Sequence, residues 1–151
     1  MPAAEGGEAE TSQEAAALLL GDALAAHGMP LGIAFQLRDD MLGAFGDSAK
    51  TGKPVGDDLR EGKPTVMLAL AREAASASQC SVLDRVGPSA TDADVDAIQQ
   101  VMIDTGAVGK IGDEIERLLD EALQAIDALP DVNGSQEALR ALADFVVDRD
   151  T

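Results

Sequence analysis

The chain contains no tryptophan and no tyrosine, and its only aromatic residues are three phenylalanines. A core of large aromatic side chains is therefore excluded, and the core has to come from Ala, Leu, Val and Ile, with five methionines filling gaps. The sequence also lacks a sustained alternation of apolar and polar residues, which is the pattern of a half-buried strand. Because Ala and Leu are strong helix formers, the sequence predicts an all-α protein, a helical bundle.

Cysteine and positive charge are scarce as well. The single cysteine, Cys80, excludes an internal disulfide and fits a reducing cytoplasm. Eleven basic residues stand against 28 acidic ones, and the net charge of −17 argues against nucleic acid and anionic membrane surfaces as partners, since both repel it. The sequence shows no signal-peptide pattern and no long uncharged apolar run, so we expect a cytoplasmic protein without membrane insertion.

The 151 residues amount to one domain. Residues 1–11 are small, acidic and poor in apolar side chains, and we expect them to form a disordered leader. Residues 12–151 are expected to form the helical domain, with a break at Gly28 and Pro30 and a polar, glycine-rich loop over residues 48–62. Apolar spacing and capping residues predict six helices, with a poorly patterned connector ending at residues 87–88; the helices cover residues 12–27, 31–45, 64–77, 91–106, 108–129 and 135–148.

Two of these predicted helices carry an apolar stripe that we expect to be buried. In the first helix the stripe consists of Ala17, Leu18, Leu20, Ala23 and Leu24. In the helix over residues 108–129 the stripe is longer and consists of Ile111, Ile115, Leu118, Leu119, Ala122 and Ile126.

One stretch of the second predicted helix combines polar groups with apolar neighbours. Its sequence over residues 32–40 is GIAFQLRDD, and helical spacing places Gln36, Asp39 and Asp40 on neighbouring parts of one face. Carboxylates among apolar side chains carry a desolvation cost unless a cation or hydrogen bonds compensate it. Hard oxygen ligands favour Mg²⁺ over zinc or copper, so this face is a candidate magnesium site.

Two glycine-lysine turns follow, GKP at residues 52–54 and GKPT at residues 62–65. Their lysines, Lys53 and Lys63, suit terminal phosphate oxygens because a compact ammonium acts as a point charge. Asp57 and Asp58 lie between the two turns and are candidates to orient Lys63 or a metal-bound water. Carboxylates for metal and lysines for phosphate together predict a site for a metal-bound diphosphate.

These motifs carry a resemblance to a known family. Residues 31–70, LGIAFQLRDDMLGAFGDSAKTGKPVGDDLREGKPTVMLAL, resemble the second aspartate-rich region of the trans-polyprenyl diphosphate synthases, in phase from the Phe-Gln pair through both lysines. Residues 71–151 resemble the family's C-terminal helices more loosely. The resemblance implies part of the isoprenoid synthase fold and Mg²⁺ as cofactor. Its implied site has metal ligands Asp39 and Asp40, diphosphate-binding lysines Lys53 and Lys63, and Gln36 next to the allylic substrate.

The chain departs from the family pattern in two ways. The family's second motif usually reads Asp-Asp-x-x-Asp, whereas this chain has Gly43 in place of the third aspartate, and Asp47 lies a further turn on. The first aspartate-rich motif and the Gly-Lys and Arg-Arg elements that hold isopentenyl diphosphate do not precede this region. The sequence therefore resembles the C-terminal half of a synthase.

The resemblance implies a prenyltransferase of isoprenoid biosynthesis that condenses an allylic diphosphate with isopentenyl diphosphate. With only half of the pattern present, three hypotheses stay open: a subunit of a homo- or hetero-oligomer, an inactive remnant, and a non-catalytic helical partner of a synthase. A plain helical interaction protein with solvated Asp39 and Asp40 is the alternative from a different class. Product chain length is set in the family near the first motif, so this sequence carries no signal for it.

Overall fold

The computed structural model describes residues 5–147, with side chains from residue 11 onward except those of residues 50, 51 and 147. Within that part the chain forms helices and turns without a strand, which confirms the all-α prediction. Eight helices follow one another there: α1 (Glu5–Phe45), α2 (Ser48–Thr51), α3 (Asp57–Glu61), α4 (Val66–Ala74), α5 (Ala77–Leu83), α6 (Asp92–Asp104), α7 (Ala107–Asp127) and α8 (Ser135–Val147).

Helix α1 is one helix of 41 residues, where the sequence predicts two helices and a break. Pro30 lies inside it, although proline lacks an N–H and removes one hydrogen bond of the helical ladder. Pro30 and Leu31 are both buried, and packing of α1 against α7 offsets the lost hydrogen bond. The predicted break at Gly28 and Pro30 is therefore wrong.

The start of α1 also differs from the predicted leader. Residues 5–11 belong to the helix, whereas residues 1–4 lie outside the described residues. In this segment Glu5, Glu8, Ala9 and Glu10 have high helix propensity and favour the helix, whereas Gly6 and Gly7 oppose it. The domain boundary predicted after residue 11 falls inside α1.

The C-terminal half of α1 lies at the centre of the fold and packs mainly along α7. The Nδ1 atom of His27 donates a buried hydrogen bond of 2.9 Å to the carbonyl oxygen of Ala122, which ties the two helices together. Helix α8 packs on α7, while α3 and α4 pack on α1. The stripe predicted for α7 is buried throughout, and the shared core includes Leu31, Ala34, Leu37, Met67, Ile98, Met102, Ile111, Ile115, Leu118 and Ala122.

The helix starts follow the capping residues in the sequence. The Thr65 hydroxyl accepts a hydrogen bond of 3.2 Å from the Leu68 N–H at the start of α4. Thr91 and Asp94 form a capping box at the start of α6, in which each side chain accepts from the other residue's backbone N–H. Helices α4, α6, α7 and α8 agree with the predicted helices to within a few residues. Helix α5, by contrast, lies where the sequence predicts a connector.

The N-terminal half of α1 leaves its leucines exposed. This corrects the expectation that the stripe of the first predicted helix is buried: Ala17 is exposed and Ala23 is half-buried. The cause is that, among the described residues, only the C-terminal half of α1 has helices packed over it. The exposed fractions are 69% for Leu18, 70% for Leu19, 46% for Leu20 and 43% for Leu24.

The same helix corrects the expectation about long apolar runs. Its portion Thr11–Phe45 is long and apolar enough to cross a membrane by length and composition, and it is the one such helix among the described residues. This is weak evidence for a membrane span, because the core helix of a soluble protein passes the same test.

The exposed leucines predict self-association of the isolated chain. Burying a leucine stabilises by about 1.5–3 kcal/mol, so pairing this surface with another copy is favourable. Sedimentation velocity at micromolar concentrations should therefore show dimers or larger species, and the double substitution Leu20→Glu/Leu24→Glu should shift them to monomer. Ile103→Glu is the matched control, since Ile103 is 52% exposed on α6, away from this surface. A wild-type chain that stays a compact monomer at every concentration contradicts the prediction.

Candidate active site

The acidic face of α1 lies on its packed half, and Asp40 is its most enclosed member. Asp40 is only 8% exposed, so its carboxylate needs partners for its charge. One partner comes from the same helix: Gln36, one turn earlier, donates from Nε2 to Asp40 Oδ1 over 3.0 Å. Asp39, the neighbouring residue, is half-buried.

The short helix α3 brings the second glycine-lysine turn back to this face. Gly56 precedes α3 and Gly62 follows it, with φ of 74° and 73°, a left-handed conformation that glycine adopts without strain. Helix α3 packs on α1, and the Lys63 N–H donates to the Asp58 carbonyl oxygen over 3.0 Å. The two glycines thereby turn the chain so that Lys63 points at α1. The loop predicted over residues 48–62 contains this helix and α2, which the sequence pattern missed.

The Lys63 ammonium joins two acidic side chains from two helices. Its Nζ lies 2.8 Å from Asp40 Oδ1 on α1 and 3.4 Å from Asp58 Oδ2 on α3. The hydrogen bond to Asp40, and the nearby charges of both carboxylates, raise the pKa of Lys63 above its ordinary value of 10.5. Lys63 is therefore fully charged at neutral pH, and its side chain remains 36% exposed and reachable from solvent.

The other predicted lysine is held at a more exposed place. The Nζ atom of Lys53 lies 3.9 Å from Asp57 Oδ2, and 69% of the Lys53 side chain is exposed. The structure thus gathers Gln36, Asp40 and Lys63 in one hydrogen-bond network and gives Lys53 an ion pair with a different carboxylate. The sequence analysis named Asp57 and Asp58 as candidates to orient Lys63. Of the two, Asp58 contacts Lys63, and Asp57 pairs with Lys53.

The position of the missing motif aspartate is filled from another helix. A Cβ atom built on Gly43 would lie 2.1 Å from Asp58 Oδ2 and 2.3 Å from Asp58 Cγ. The carboxylate of Asp58, whose side chain is 13% exposed, therefore occupies the space of a side chain at residue 43. The sequence pattern did not predict this contact. The one indication was that Gly43 stands at the usual acidic position while a second aspartate, Asp58, lies near the turn at Lys63.

The residues of this site suit a hard cation. Among the described residues, three or more His, Cys, Asp or Glu side chains do not come together as one metal-binding cluster. Mg²⁺, however, is commonly held by one or two carboxylates together with substrate phosphates and water. The neighbouring carboxylates of Asp39 and Asp40 are hard oxygen donors of that kind, and Lys63 lies beside Asp40 as a group for phosphate. The residues present therefore fit Mg²⁺.

Comparison with known proteins gives a consistent result. A family model described as polyprenyl synthetase matches residues 7–104. The chain is 37% identical over 123 residues to geranylfarnesyl diphosphate synthase from Aeropyrum pernix, covering 81% of this chain and 38% of that protein. It is 34% identical over 125 residues to heptaprenyl diphosphate synthase component 2 from Geobacillus stearothermophilus, covering 82% and 38% respectively.

A solved structure agrees with these sequence matches. Geranylgeranyl pyrophosphate synthase from Corynebacterium glutamicum, complexed with isoprenyl diphosphate and magnesium, superposes with a TM-score of 0.82 at 41% identity. The superposition covers 87% of this chain and 38% of the other, which confirms the expected fold. The chain thus spans 38% of the length of each of these three relatives.

The ion pair between α1 and the turn after α3 predicts a stability effect at Lys63. Hydrogen bonds to charged groups contribute about 1.5–3 kcal/mol, and partial exposure of the ammonium reduces this, so Lys63→Met should lower the free energy of unfolding by about 1 kcal/mol. Urea unfolding at pH 7 measures it, with the exposed Lys53→Met as the matched control near zero. Because the pKa of Lys63 is raised in the folded state, the difference should persist below pH 10.5 and disappear as pH rises through the folded-state pKa. Equal stability of the two variants contradicts the prediction.

Proposed function

Because the chain belongs to the polyprenyl synthetase family, we propose that it builds the part of a prenyltransferase site that binds Mg²⁺ and the diphosphate of an allylic substrate. The observation that carries the proposal is the Lys63 ammonium held between the carboxylates of Asp40 and Asp58. A phosphate-binding cation and metal-binding carboxylates thus stand in one network, which is what capture of a metal-bound diphosphate requires.

The proposed reaction is the condensation of an allylic diphosphate with isopentenyl diphosphate. The bond from the allylic carbon to the diphosphate breaks, the double bond of isopentenyl diphosphate supplies the electrons of the new carbon–carbon bond, and a proton is lost. Bound Mg²⁺ would supply the charge that neutralises the departing diphosphate. In this assignment Asp39 and Asp40 hold the metal, and Lys53 and Lys63 bind the diphosphate as it leaves. Gln36 lies next to the allylic substrate and orients Asp40.

The charge of the site explains how an acidic protein can take a polyanionic substrate. The whole chain carries −17, which repels diphosphate at long range. At the site itself, the Lys63 ammonium has three N–H donors and faces two carboxylates. More than a third of the Lys63 side chain is still exposed to solvent. Neutralising the carboxylates with a divalent cation would release Lys63 to phosphate oxygens. We therefore infer that diphosphate binding depends on Mg²⁺.

We propose that a further part of the assembled protein supplies the residues that bind the second substrate and complete the site. The chain spans 38% of the two synthases from Aeropyrum pernix and Corynebacterium glutamicum, and the exposed leucines of the N-terminal half of α1 form a surface that a further part can cover. Similarity to a heptaprenyl diphosphate synthase component supports a subunit of a homo- or hetero-oligomer. We propose that this assembly is cytoplasmic and that α1 is covered by protein rather than inserted in a membrane. An inactive remnant and a non-catalytic helical partner are the competing hypotheses.

Binding of Mg²⁺ and inorganic pyrophosphate tests the proposal at the level of the isolated chain. Losing one charge-assisted contact of about 1.5–3 kcal/mol weakens binding at least tenfold, so Asp39→Ala and Lys63→Ala should each raise the Kd by that factor or more. Titration calorimetry with and without Mg²⁺ measures it, and Lys110→Ala, an exposed lysine on α7, is the matched control. Pyrophosphate binding that ignores Mg²⁺ and both substitutions would support the plain helical interaction protein and sink the proposal.

Incorporation of labelled isopentenyl diphosphate distinguishes three hypotheses: a chain that is active by itself, a subunit that needs a partner, and an inactive remnant. The assay pairs the purified chain and Mg²⁺ with dimethylallyl, geranyl or farnesyl diphosphate. Product that is lost in Asp39→Ala shows a working site in this chain alone or in its homo-oligomer. If the folded chain makes no product but still binds Mg²⁺ and pyrophosphate, it is a subunit that needs a second polypeptide. If it neither makes product nor binds Mg²⁺ and pyrophosphate, it is an inactive remnant.

A further inference from the structure

Among the α1 glycines whose surroundings the structure describes, Gly43 is the one where an added side chain would clash with another residue. A Cβ atom on Gly43 would lie within 2.8 Å of all three atoms of the Asp58 carboxyl group. A Cβ atom on Gly21, Gly28 or Gly32 of the same helix meets nothing within 4 Å. A glycine inside a helix costs stability relative to alanine, so this one calls for a compensating reason.

Asp58 supplies that reason through its contacts with Lys63. Its carbonyl oxygen accepts the Lys63 backbone N–H over 3.0 Å, and its Oδ2 lies 3.4 Å from Lys63 Nζ. Its side chain is only 13% exposed, and the carboxylate lies against the bare backbone of Gly43. The Asp58 side chain is short, with one methylene, so displacing its carboxylate from α1 also moves it relative to the ammonium.

We propose that Asp58 is a positioning residue that supplies from α3 the carboxylate that α1 lacks at residue 43, and that glycine at 43 makes room for it. The carboxylate holds the Lys63 ammonium beside Asp40, so that the lysine stays on the metal-binding face of α1. Gly43 and Asp58 are then a matched pair, in which each residue explains the other. The bearing of this pair on catalysis rests on the proposed function, whereas the packing itself does not.

The inference has a direct consequence for exchange of the two residues. If the carboxylate matters for where it lies and not for which helix carries it, moving it from α3 to α1 should preserve its effect on Lys63. The exchange variant is Gly43→Asp/Asp58→Ala, which keeps the number of carboxylates constant. Asp58→Ala alone removes the carboxylate, and Gly43→Ala alone fills its space with a methyl group while Asp58 is still present.

The measurement is the distance from Lys63 Nζ to Asp40 Oδ1, 2.8 Å in the unchanged chain, in crystal structures of the metal-free variants. Asp58→Ala and Gly43→Ala should each move the ammonium out of hydrogen-bond distance of Asp40, because the carboxylate that holds it is absent or displaced. The exchange variant should restore the contact. Gly32→Ala and Asp57→Asn, the matched glycine and the matched carboxylate, should leave the contact unchanged.

Two results overturn the inference: a contact between Lys63 and Asp40 that Asp58→Ala leaves intact, or an exchange variant that behaves like Asp58→Ala. Should Gly43→Ala fail to fold by circular dichroism, folding of Gly43→Ala/Asp58→Ala supports the steric pairing, and failure of that double variant contradicts it. Because this measurement needs no ligand, it is independent of the proposed function. A restored contact without Mg²⁺-dependent pyrophosphate binding leaves the pairing intact and removes the function, and the reverse pattern removes only the pairing.

Discussion

The network around the Asp40 carboxylate, which is almost enclosed by protein, is the interaction on which the rest of the site depends. A charge at 8% exposure has to be balanced, and the chain balances it with the Gln36 amide from the same helix and the Lys63 ammonium from the turn after α3. The turn can reach Asp40 only because Gly56 and Gly62 bend the chain around α3. The conformation of the two glycines, the packing of α3 on α1 and the placement of Lys63 therefore depend on one another.

The two halves of α1 have different tasks because they have different neighbours. The C-terminal half is packed on α7 and fixed by the hydrogen bond from His27 to Ala122, which makes it a rigid base for the acidic face. The N-terminal half presents leucines to solvent. The chain spans 38% of the synthases from Aeropyrum pernix and Corynebacterium glutamicum, and we propose that this half is where another part of the assembly packs. Under the proposed function, the residues for Mg²⁺ and diphosphate belong to this chain, and the complete active site belongs to the proposed assembly.

Residue pattern predicted the features that depend on local chemistry. The α7 stripe, the cap at Thr91 and the all-α class follow from spacing and propensity, and the structure has them. The features it missed depend on contacts between distant residues. Continuity of α1 through Pro30 depends on packing against α7, and exposure of the first stripe depends on which partner is present. At the site, the contact between Gly43 and Asp58 depends on how α3 packs back on α1. A local residue pattern does not predict that packing.

The proposed function requires that a divalent cation and the Lys63 ammonium share one site in the presence of diphosphate, and paramagnetic NMR tests this directly. Mn²⁺ broadens NMR signals of nearby nuclei, so it can replace Mg²⁺ in a titration with inorganic pyrophosphate while the lysine Cε signals are followed. We expect the Lys63 signal to broaden first, at low Mn²⁺, and the signal of Lys110 on α7 to stay sharp. Equal broadening of the two lysines, or broadening of Lys63 that persists in Asp39→Ala/Asp40→Ala, would contradict it.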